Sequence, residues 1–177
     1  MAGIMTRLRR FAGNQRGVAA VEMALVMPVM LILLLGSLET VTLLRADSKV
    51  QAIAFTTADL MTLEPTLPTA TVNDIFTAAS LMIQPFTGTG LKIGVASVVF
   101  DPVDGSPSVA WTEAFNGGAV PNPLTMAAGM GAPGESVVIV YVEYAYPALF
   151  ADVVFSPITL DESVTVRPRR SDTVART

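Results

Sequence analysis

One apolar run near the N-terminus constrains this chain more than any other feature. Residues 18–38 contain a single charged side chain, Glu22, and residues 23–38 contain none. A helix needs roughly 20 apolar residues to cross the hydrocarbon core of a bilayer, and this run supplies 21. The sequence therefore predicts one transmembrane helix over Val18–Leu38, with the residues that follow it forming a separate domain on one side of the membrane.

The charges before the run predict the orientation of that helix. Arg7, Arg9, Arg10 and Arg16 precede it, with no acidic residue among them. Positively charged flanks remain in the cytoplasm, so residues 1–17 are predicted to be a cytoplasmic basic leader. The domain that follows the helix is then exported.

Composition excludes several kinds of chemistry. The chain has no cysteine and no histidine, so disulfides, Cys/His zinc sites, thiol catalysis and the Ser-His-Asp triad are ruled out. Without the four arginines before the run, seven basic side chains face fifteen acidic ones, a formal charge of −8. Such a surface repels phosphate backbones, which argues against nucleic-acid binding.

A dense motif occupies the start of the apolar run. Residues 15–28 read Q-R-G-V-A-A-V-E-M-A-L-V-M-P. This stretch resembles the processing site of type IV pilin-like proteins and is most similar to the TadE/TadG pseudopilins of tight-adherence pili, whose motif reads R-G-x-A-A-V-E-F-A-L-V-x-P. In that family a prepilin peptidase cuts after the glycine. The resemblance implies a cut between Gly17 and Val18, and Met23 departs from it by replacing the usual aromatic residue.

The same resemblance implies a function, a location and partners. The chain is expected to be a minor pilin-like subunit that acts by assembly and not as an enzyme, without a cofactor. It is expected in the bacterial inner membrane as a single-pass protein with a periplasmic C-terminal domain, or within an extracellular pilus. Its expected partners are other pilins or pseudopilins, the prepilin peptidase, an inner-membrane platform protein and a cytoplasmic ATPase.

Glu22 is the residue on which the assembly hypothesis depends. An ionised side chain inside a membrane helix costs free energy and usually marks a function. Cleavage after Gly17 creates an α-ammonium group at Val18, one helical turn from Glu22, so two neighbouring chains could pair amine with carboxylate. The alternative is that Glu22 reaches the membrane surface and has no role. Pro28, inside the span, either kinks the helix or is tolerated there.

Other interpretations of the N-terminus stay open. A cleavable secretory signal has a shorter apolar region followed by an A-x-A-like site, whereas here Gly36-Ser37-Leu38 follows a long run. An ordinary uncleaved anchor would make the chain a single-span periplasmic interaction domain that is not part of a pilus. The N-terminal sequence of the mature protein separates these possibilities.

The helix is predicted to continue beyond the membrane. An apolar stripe with a period near 3.6 residues indicates an amphipathic extension over residues 39–64, ending before Pro65. The stripe consists of Leu43, Ala46, Val50, Ile53, Ala54, Thr57 and Met61. We expect this half of the helix to pack on the exported domain and the first half to face lipid or other helices.

Residues 65–167 are predicted to form an exported α+β head. A second helix is expected over residues 71–84, capped at Thr71, and alternating apolar residues indicate strands at 91–100, 108–115, 136–146 and 160–166. The fold class is therefore α+β: a long N-terminal helix packed on a small antiparallel sheet of about four strands, as in pilins. Residues 168–177 are predicted to be a flexible tail, with Arg167, Arg169 and Arg170 either solvated or contacting the acidic head of a neighbour.

The remaining motifs give weak evidence for binding or catalysis. Gly129–Gly134 spells G-x-G-x-x-G, but it lacks the preceding strand and following helix of a dinucleotide site, and we predict a loop. Asp101 and Asp104 indicate a turn more than a calcium site. Glu143 is predicted to be an exposed strand position or a paired acid. An exported enzyme would need converging carboxylates, for which Asp101, Asp104 and Glu113 are the loose candidates.

Overall fold

A computed structural model describes residues 16–148 and 158–177. Its longest element is α1, Arg16–Met61, a continuous helix of 46 residues. At 1.5 Å per residue, α1 is about 69 Å long, and it continues through Pro28. Its last turn tightens, since Thr62 and Leu63 donate backbone hydrogen bonds to Asp59 and Leu60. Residues 149–157 and the first fifteen residues of the leader lie outside the described residues.

The head is made of short elements that follow α1. The second helix, α2, begins at Thr69, two residues before the predicted cap, with Pro68 as the preceding residue. Pro68 is the N-cap residue, and its ring fixes φ at −64°, which suits the extended geometry of that position. The elements in chain order are β1 Thr66–Leu67, α2 Thr69–Met82, a 3-10 turn Gly88–Gly90, β2 Leu91–Phe100, β3 Pro107–Phe115, α3 Pro123–Ala127, β4 Ser136–Tyr146, β5 Ile158–Val166 and β6 Ala175–Arg176.

Four of the strands form an antiparallel sheet in the order β3-β2-β4-β5. β2 and β3 make a hairpin around the predicted turn at residues 101–106, and β4 lies on the other side of β2. β5 completes the sheet, with Val138 opposite Val166 and Tyr146 opposite Ile158. The predicted α+β class and the four-stranded antiparallel sheet are confirmed.

The main core lies between one face of the sheet and the two helices. Odd-numbered residues of β2 and even-numbered residues of β4 point to the same side, because side chains alternate along a strand. They meet the predicted apolar stripe of α1 and the apolar face of α2. The α1 side chains in this core are Ala46, Val50, Ile53, Ala54, Ala58 and Met61. Only the second half of α1 contributes to the core of the head.

The loop between β3 and β4 covers the opposite face of the sheet. Its backbone packs against β2 so closely that a Cβ on Gly94 would lie 2.5 Å from Ala119, and one on Gly118 would lie 2.4 Å from Ile93. Gly131 faces the ring of Phe100 in the same way. The G-x-G-x-x-G stretch is thus a loop, as predicted, and its central glycine permits packing on an aromatic ring.

The C-terminal residues differ from the predicted flexible tail. β6 pairs in parallel with β1, and the buried side chain of Val174 joins the main core. The indole of Trp111 donates a hydrogen bond to the Val174 carbonyl at 2.8 Å, and Arg176 forms an ion pair with Glu113. The composition of this segment predicted a solvated tail, whereas Val174 and its last arginine both have partners in the head.

Candidate assembly surface on the first half of α1

The first half of α1 is exposed along most of its length. All residues from Gly17 to Leu34 are exposed, including the leucines, valines and methionines of the apolar run. Within the described residues one helix is long and apolar enough to cross a membrane, and it begins at Gly17. The head buries none of this segment, so lipid or other helices must cover it. We therefore treat the chain as anchored to the membrane by one helix.

The predicted processing and assembly residues lie in the first turns of this exposed helix. Gly17 and Val18 lie in the first turn of α1, and Glu22 follows Val18 by four residues, which places both on one face about 6 Å apart along the axis. Met23 and Pro28 are both exposed, and they lie on opposite flanks of that face, each roughly 100–120° around the helix axis from its centre. No described side chain of the head contacts this group, so any partner for Glu22 comes from outside the described part of the chain.

A buried polar cluster joins α1 to the head just beyond the apolar run. Glu39 is only 1% exposed, although it is the first residue after the predicted span. The hydroxyl of Tyr146 lies beside it and donates a hydrogen bond to Oγ1 of Thr42 at 2.9 Å. Thr42 in turn donates to the backbone carbonyl of Glu39 at 2.8 Å. This cluster fixes the base of the head to α1 just beyond the predicted end of the span.

Sequence reasoning missed Glu39, although a signal was present. The stripe that predicted the core of α1 begins at Leu43, and extending it back by four residues reaches Glu39. An acidic residue on the buried face of an amphipathic helix needs a polar partner, because an isolated buried charge is costly. Tyr146, at the end of β4, supplies a hydroxyl at this point.

The tyrosines of β4 predict how the stability of the head depends on pH. Burial raises the pKa of Tyr146, the hydrogen bond with Thr42 opposes this, and the nearby Glu39 raises it further. Burial also raises the pKa of Tyr141 and of Tyr144. Each group holds its proton more tightly when folded, so its contribution is complete below the unfolded pKa, near 10.0, and is lost as the pH rises through the higher folded pKa.

We therefore expect the urea midpoint of the detergent-solubilised chain to fall above about pH 10. The variant Tyr146→Phe, which cannot ionise at that position, should show a shallower fall. The fall that remains in Tyr146→Phe is the contribution of Tyr141 and Tyr144, whose pKa values are raised as well. If the urea midpoint fell equally steeply with pH in wild type and in Tyr146→Phe, the proposed contribution of Tyr146 to the pH dependence would be wrong.

The other charged candidates are engaged within the chain. Arg167, Arg169 and Arg170 form ion pairs with Glu135, Asp59 and Glu64. The cluster is therefore neither a free solvated tail nor unpaired, although its members remain largely exposed, where ion pairs contribute little stability. Glu143 is half-exposed and pairs with Lys92 at 2.9 Å.

The three carboxylates considered for catalysis do not converge. Asp101 and Asp104 stabilise one turn: Asp101 accepts from the amide of Val103 at 2.7 Å, and Asp104 accepts from that of Ser106 at 2.8 Å. The hydrogen bonds from Ser106 lower the pKa of Asp104. Glu113 is paired with Arg176 and lies six residues along the β2–β3 ladder from this turn, about 20 Å away. The described residues hold no cluster of acids that could bind a metal ion.

Residues 17–59 of the chain match the family model described as TadE-like protein. The matched segment begins at Gly17, contains the whole exposed half of α1 and extends through most of the half that packs on the head. No curated protein and no solved structure matches the chain. The family match confirms the resemblance predicted from residues 15–28.

Proposed function

Starting from the TadE-like segment, which associates the chain with tight-adherence pili, we propose that it is a minor pilin-like subunit of such an assembly. A prepilin peptidase removes residues 1–17 by cutting after Gly17, and the exposed half of α1 then packs among the helices of other pilins or pseudopilins. The observation that carries this proposal is the division of α1 into an exposed apolar half and a half buried by the head.

The division suits a subunit that leaves the membrane for a helical bundle. An apolar helix surface is stable in lipid and equally stable against other apolar helices. The head, anchored by the second half of α1 and by the Glu39–Tyr146 cluster, moves with the helix as one body without exposing its own core. Transfer from bilayer to bundle therefore changes the neighbours of α1 but not its fold.

Glu22 makes packing in the bundle more favourable than remaining in the bilayer. In lipid its carboxylate lacks a partner among the described residues, and it lies near the end of the span, where the cost is smaller than at the centre of the bilayer. After cleavage, the new ammonium group of Val18 on one chain can pair with Glu22 on the next. Such a pair neutralises both groups inside the bundle, which favours association over dispersal in the bilayer.

The proposal assigns an orientation and partners. The arginines before the span place the N-terminus in the cytoplasm and the head in the periplasm of the bacterial inner membrane. The processing enzyme acts on the cytoplasmic side, and a platform protein with a cytoplasmic ATPase extracts the helix. Assembly requires no catalytic group or cofactor in this chain.

The decisive experiment is the N-terminal sequence of the protein purified from its own host, with and without the prepilin peptidase, together with sedimentation of sheared surface filaments. We expect the mature chain to begin at Val18, to depend on the peptidase and to sediment with filaments. A chain that retains its arginine-rich leader and sediments with no polymer would instead be a single-span periplasmic interaction domain. A cut near Ser37 would indicate a secretory signal.

A further inference from the structure

A groove beside α1 lies just beyond the predicted end of the membrane span. It is formed between the exposed side of α1 and the residues that follow α2, and it has a volume of about 510 Å³. Its lining atoms are mostly apolar. The side chains that matter for its chemistry are Val41, Leu44, Arg45, Lys49, Pro85 and Phe86.

Two basic side chains on one edge of this groove differ from the other basic residues that follow Gly17. In the described part of the chain, five of these residues form ion pairs with acidic side chains: Lys92, Arg167, Arg169, Arg170 and Arg176. Arg45 and Lys49 form no ion pair there, and they lie four residues apart on one face of α1. Lys49 donates one hydrogen bond to the carbonyl of Met82 at 3.0 Å, which holds its amine at the groove.

The depth of the groove matches the headgroup layer of a bilayer. Arg45 follows Leu38, the last residue of the apolar run, by seven residues, or about 10 Å along the helix. The headgroup region extends about 5–8 Å beyond the hydrocarbon core. Side chains on a helix point toward its N-terminus, so the guanidinium of Arg45 reaches back toward that layer.

The apolar wall of the groove is continuous with the surface that faces lipid. Leu38, Val41 and Leu44 are 53%, 48% and 61% exposed, and they extend the exposed side of the span upward to the basic pair. Opposite them, Phe86 is held by an edge-on contact with Tyr146 at 6.1 Å. An amphiphile with a negative head and apolar chains matches a site with basic groups above apolar ones.

We propose that this groove binds an anionic phospholipid of the membrane leaflet on the side of the head. Arg45 and Lys49 hold its phosphate through charge-assisted hydrogen bonds, and the first methylenes of its acyl chains lie against Val41, Leu44 and Phe86. The lipid supplies negative charge to the two basic groups that the head leaves unpaired. This inference requires the membrane anchor but not the filament role, so it stands or falls independently of the proposed function.

The absence of cysteine permits a local test in the full chain. Thr87→Cys, at an exposed position next to Phe86, carries a fluorophore, and the protein is reconstituted in phosphatidylcholine vesicles. Phosphatidylglycerol or phosphatidylcholine with a nitroxide on the acyl chain is added as quencher. Quenching is short-ranged, so lipids around the basic leader on the other side of the bilayer do not contribute.

We expect nitroxide-labelled phosphatidylglycerol to associate with the labelled site at least about tenfold more strongly than the phosphatidylcholine, since each basic residue near a lipid surface contributes about fivefold. Arg45→Gln should reduce the preference by about fivefold, and the double variant Arg45→Gln/Lys49→Gln should abolish it. The double variant Arg169→Gln/Arg170→Gln, which removes the same charge near the C-terminal end of α1, where the two side chains pair with Asp59 and Glu64, should retain the full preference.

Four outcomes would overturn the proposal. The first is equal quenching by the two lipids in wild type, and the second is a preference that survives the loss of both Arg45 and Lys49. The third is displacement of the phosphatidylglycerol by inorganic phosphate at constant ionic strength, which would show a site for soluble anions. If the double variant instead reduced cross-linking between chains in phosphatidylcholine alone, the occupant would be a second copy, and the lipid assignment would be wrong.

Discussion

Gly17→Ala is expected to leave the chain uncut in a host that contains the prepilin peptidase, so that most of the protein retains residues 1–17. A peptidase must draw the scissile backbone out of the helix, and glycine assists this because it is about 1 kcal/mol less favourable than alanine in a helix interior. Glycine also permits close approach of the backbone to another molecule. N-terminal sequencing of the membrane fraction, or the mass of the intact chain, measures the outcome.

In the structure, Gly17→Ala adds a methyl group without a steric clash. A Cβ added at Gly17 has no atom within 4 Å, and the same is true at Gly36 in the second half of the span. Gly36→Ala is therefore the matched control: the same change in the same helix, equally free of contacts, but remote from the proposed cut. We expect it to be processed normally. Efficient trimming of Gly17→Ala to a chain that starts at Val18 would count against the proposed site.

The patterns that predicted the fold correctly are those in which one face of an element is buried. β2 and β4 are rich in apolar residues because the helices cover one of their faces and a second, smaller apolar cluster lies on the other, and residues 91–100 and 136–146 were predicted with the bounds that the structure shows. α1 has its stripe for the same reason. These regularities follow from hydrophobic burial, which acts locally on the sequence and can therefore be read from it.

The features that escaped prediction depend on contacts between distant parts of the chain. The pairing of β6 with β1 joins residues separated by more than one hundred positions, and neither two-residue strand has a pattern of its own. The Glu39–Tyr146 cluster is likewise invisible until β4 is placed on α1. The tertiary structure determines which polar groups meet in such a cluster. The local sequence shows only that an acidic residue lies on an apolar stripe.

The proposed site is a different case, because its residues are predicted from the sequence and its partners lie outside the described chain. The motif around Gly17 and Glu22 was recognised from residue order, and the family match covers it. The structure adds that Val18 and Glu22 share an exposed face that the head leaves free. The pairing of the Val18 amine with Glu22 joins two chains, so the structure of a single subunit does not show it, and the pairing stays a prediction.

Glu22→Gln is expected to preserve membrane insertion and cleavage but to reduce incorporation into filaments by about thirtyfold. Removing one member of a buried, hydrogen-bonded charge pair costs about 2 kcal/mol or more, and 1.4 kcal/mol corresponds to a factor of ten. The amide keeps the size of the side chain, so a packing defect is not the cause. The ratio of filament to membrane protein in sheared and whole-cell fractions measures the effect.

Glu22→Asp and Glu64→Gln provide the controls. The aspartate keeps the carboxylate and should recover part of the incorporation. Glu64 is an exposed acid that pairs with Arg170 in the head, and its loss should change little, because exposed ion pairs contribute little free energy. Wild-type incorporation of Glu22→Gln would show that the intramembrane acid has no part in assembly.

Combining the two substitutions tests the pairing itself. The ammonium group of Val18 exists only after cleavage, so in a chain that keeps its leader Glu22 has no such partner. The test compares cross-linking between chains in vesicles for two kinds of chain. In chains made without the leader, Glu22→Gln should reduce cross-linking. In Gly17→Ala chains, which keep the leader, Glu22→Gln should leave cross-linking unchanged. This non-additivity is the signature of a direct interaction between two groups. Equal losses in both backgrounds would mean that Glu22 acts through some other contact, and the amine would then have no part in holding neighbouring helices together.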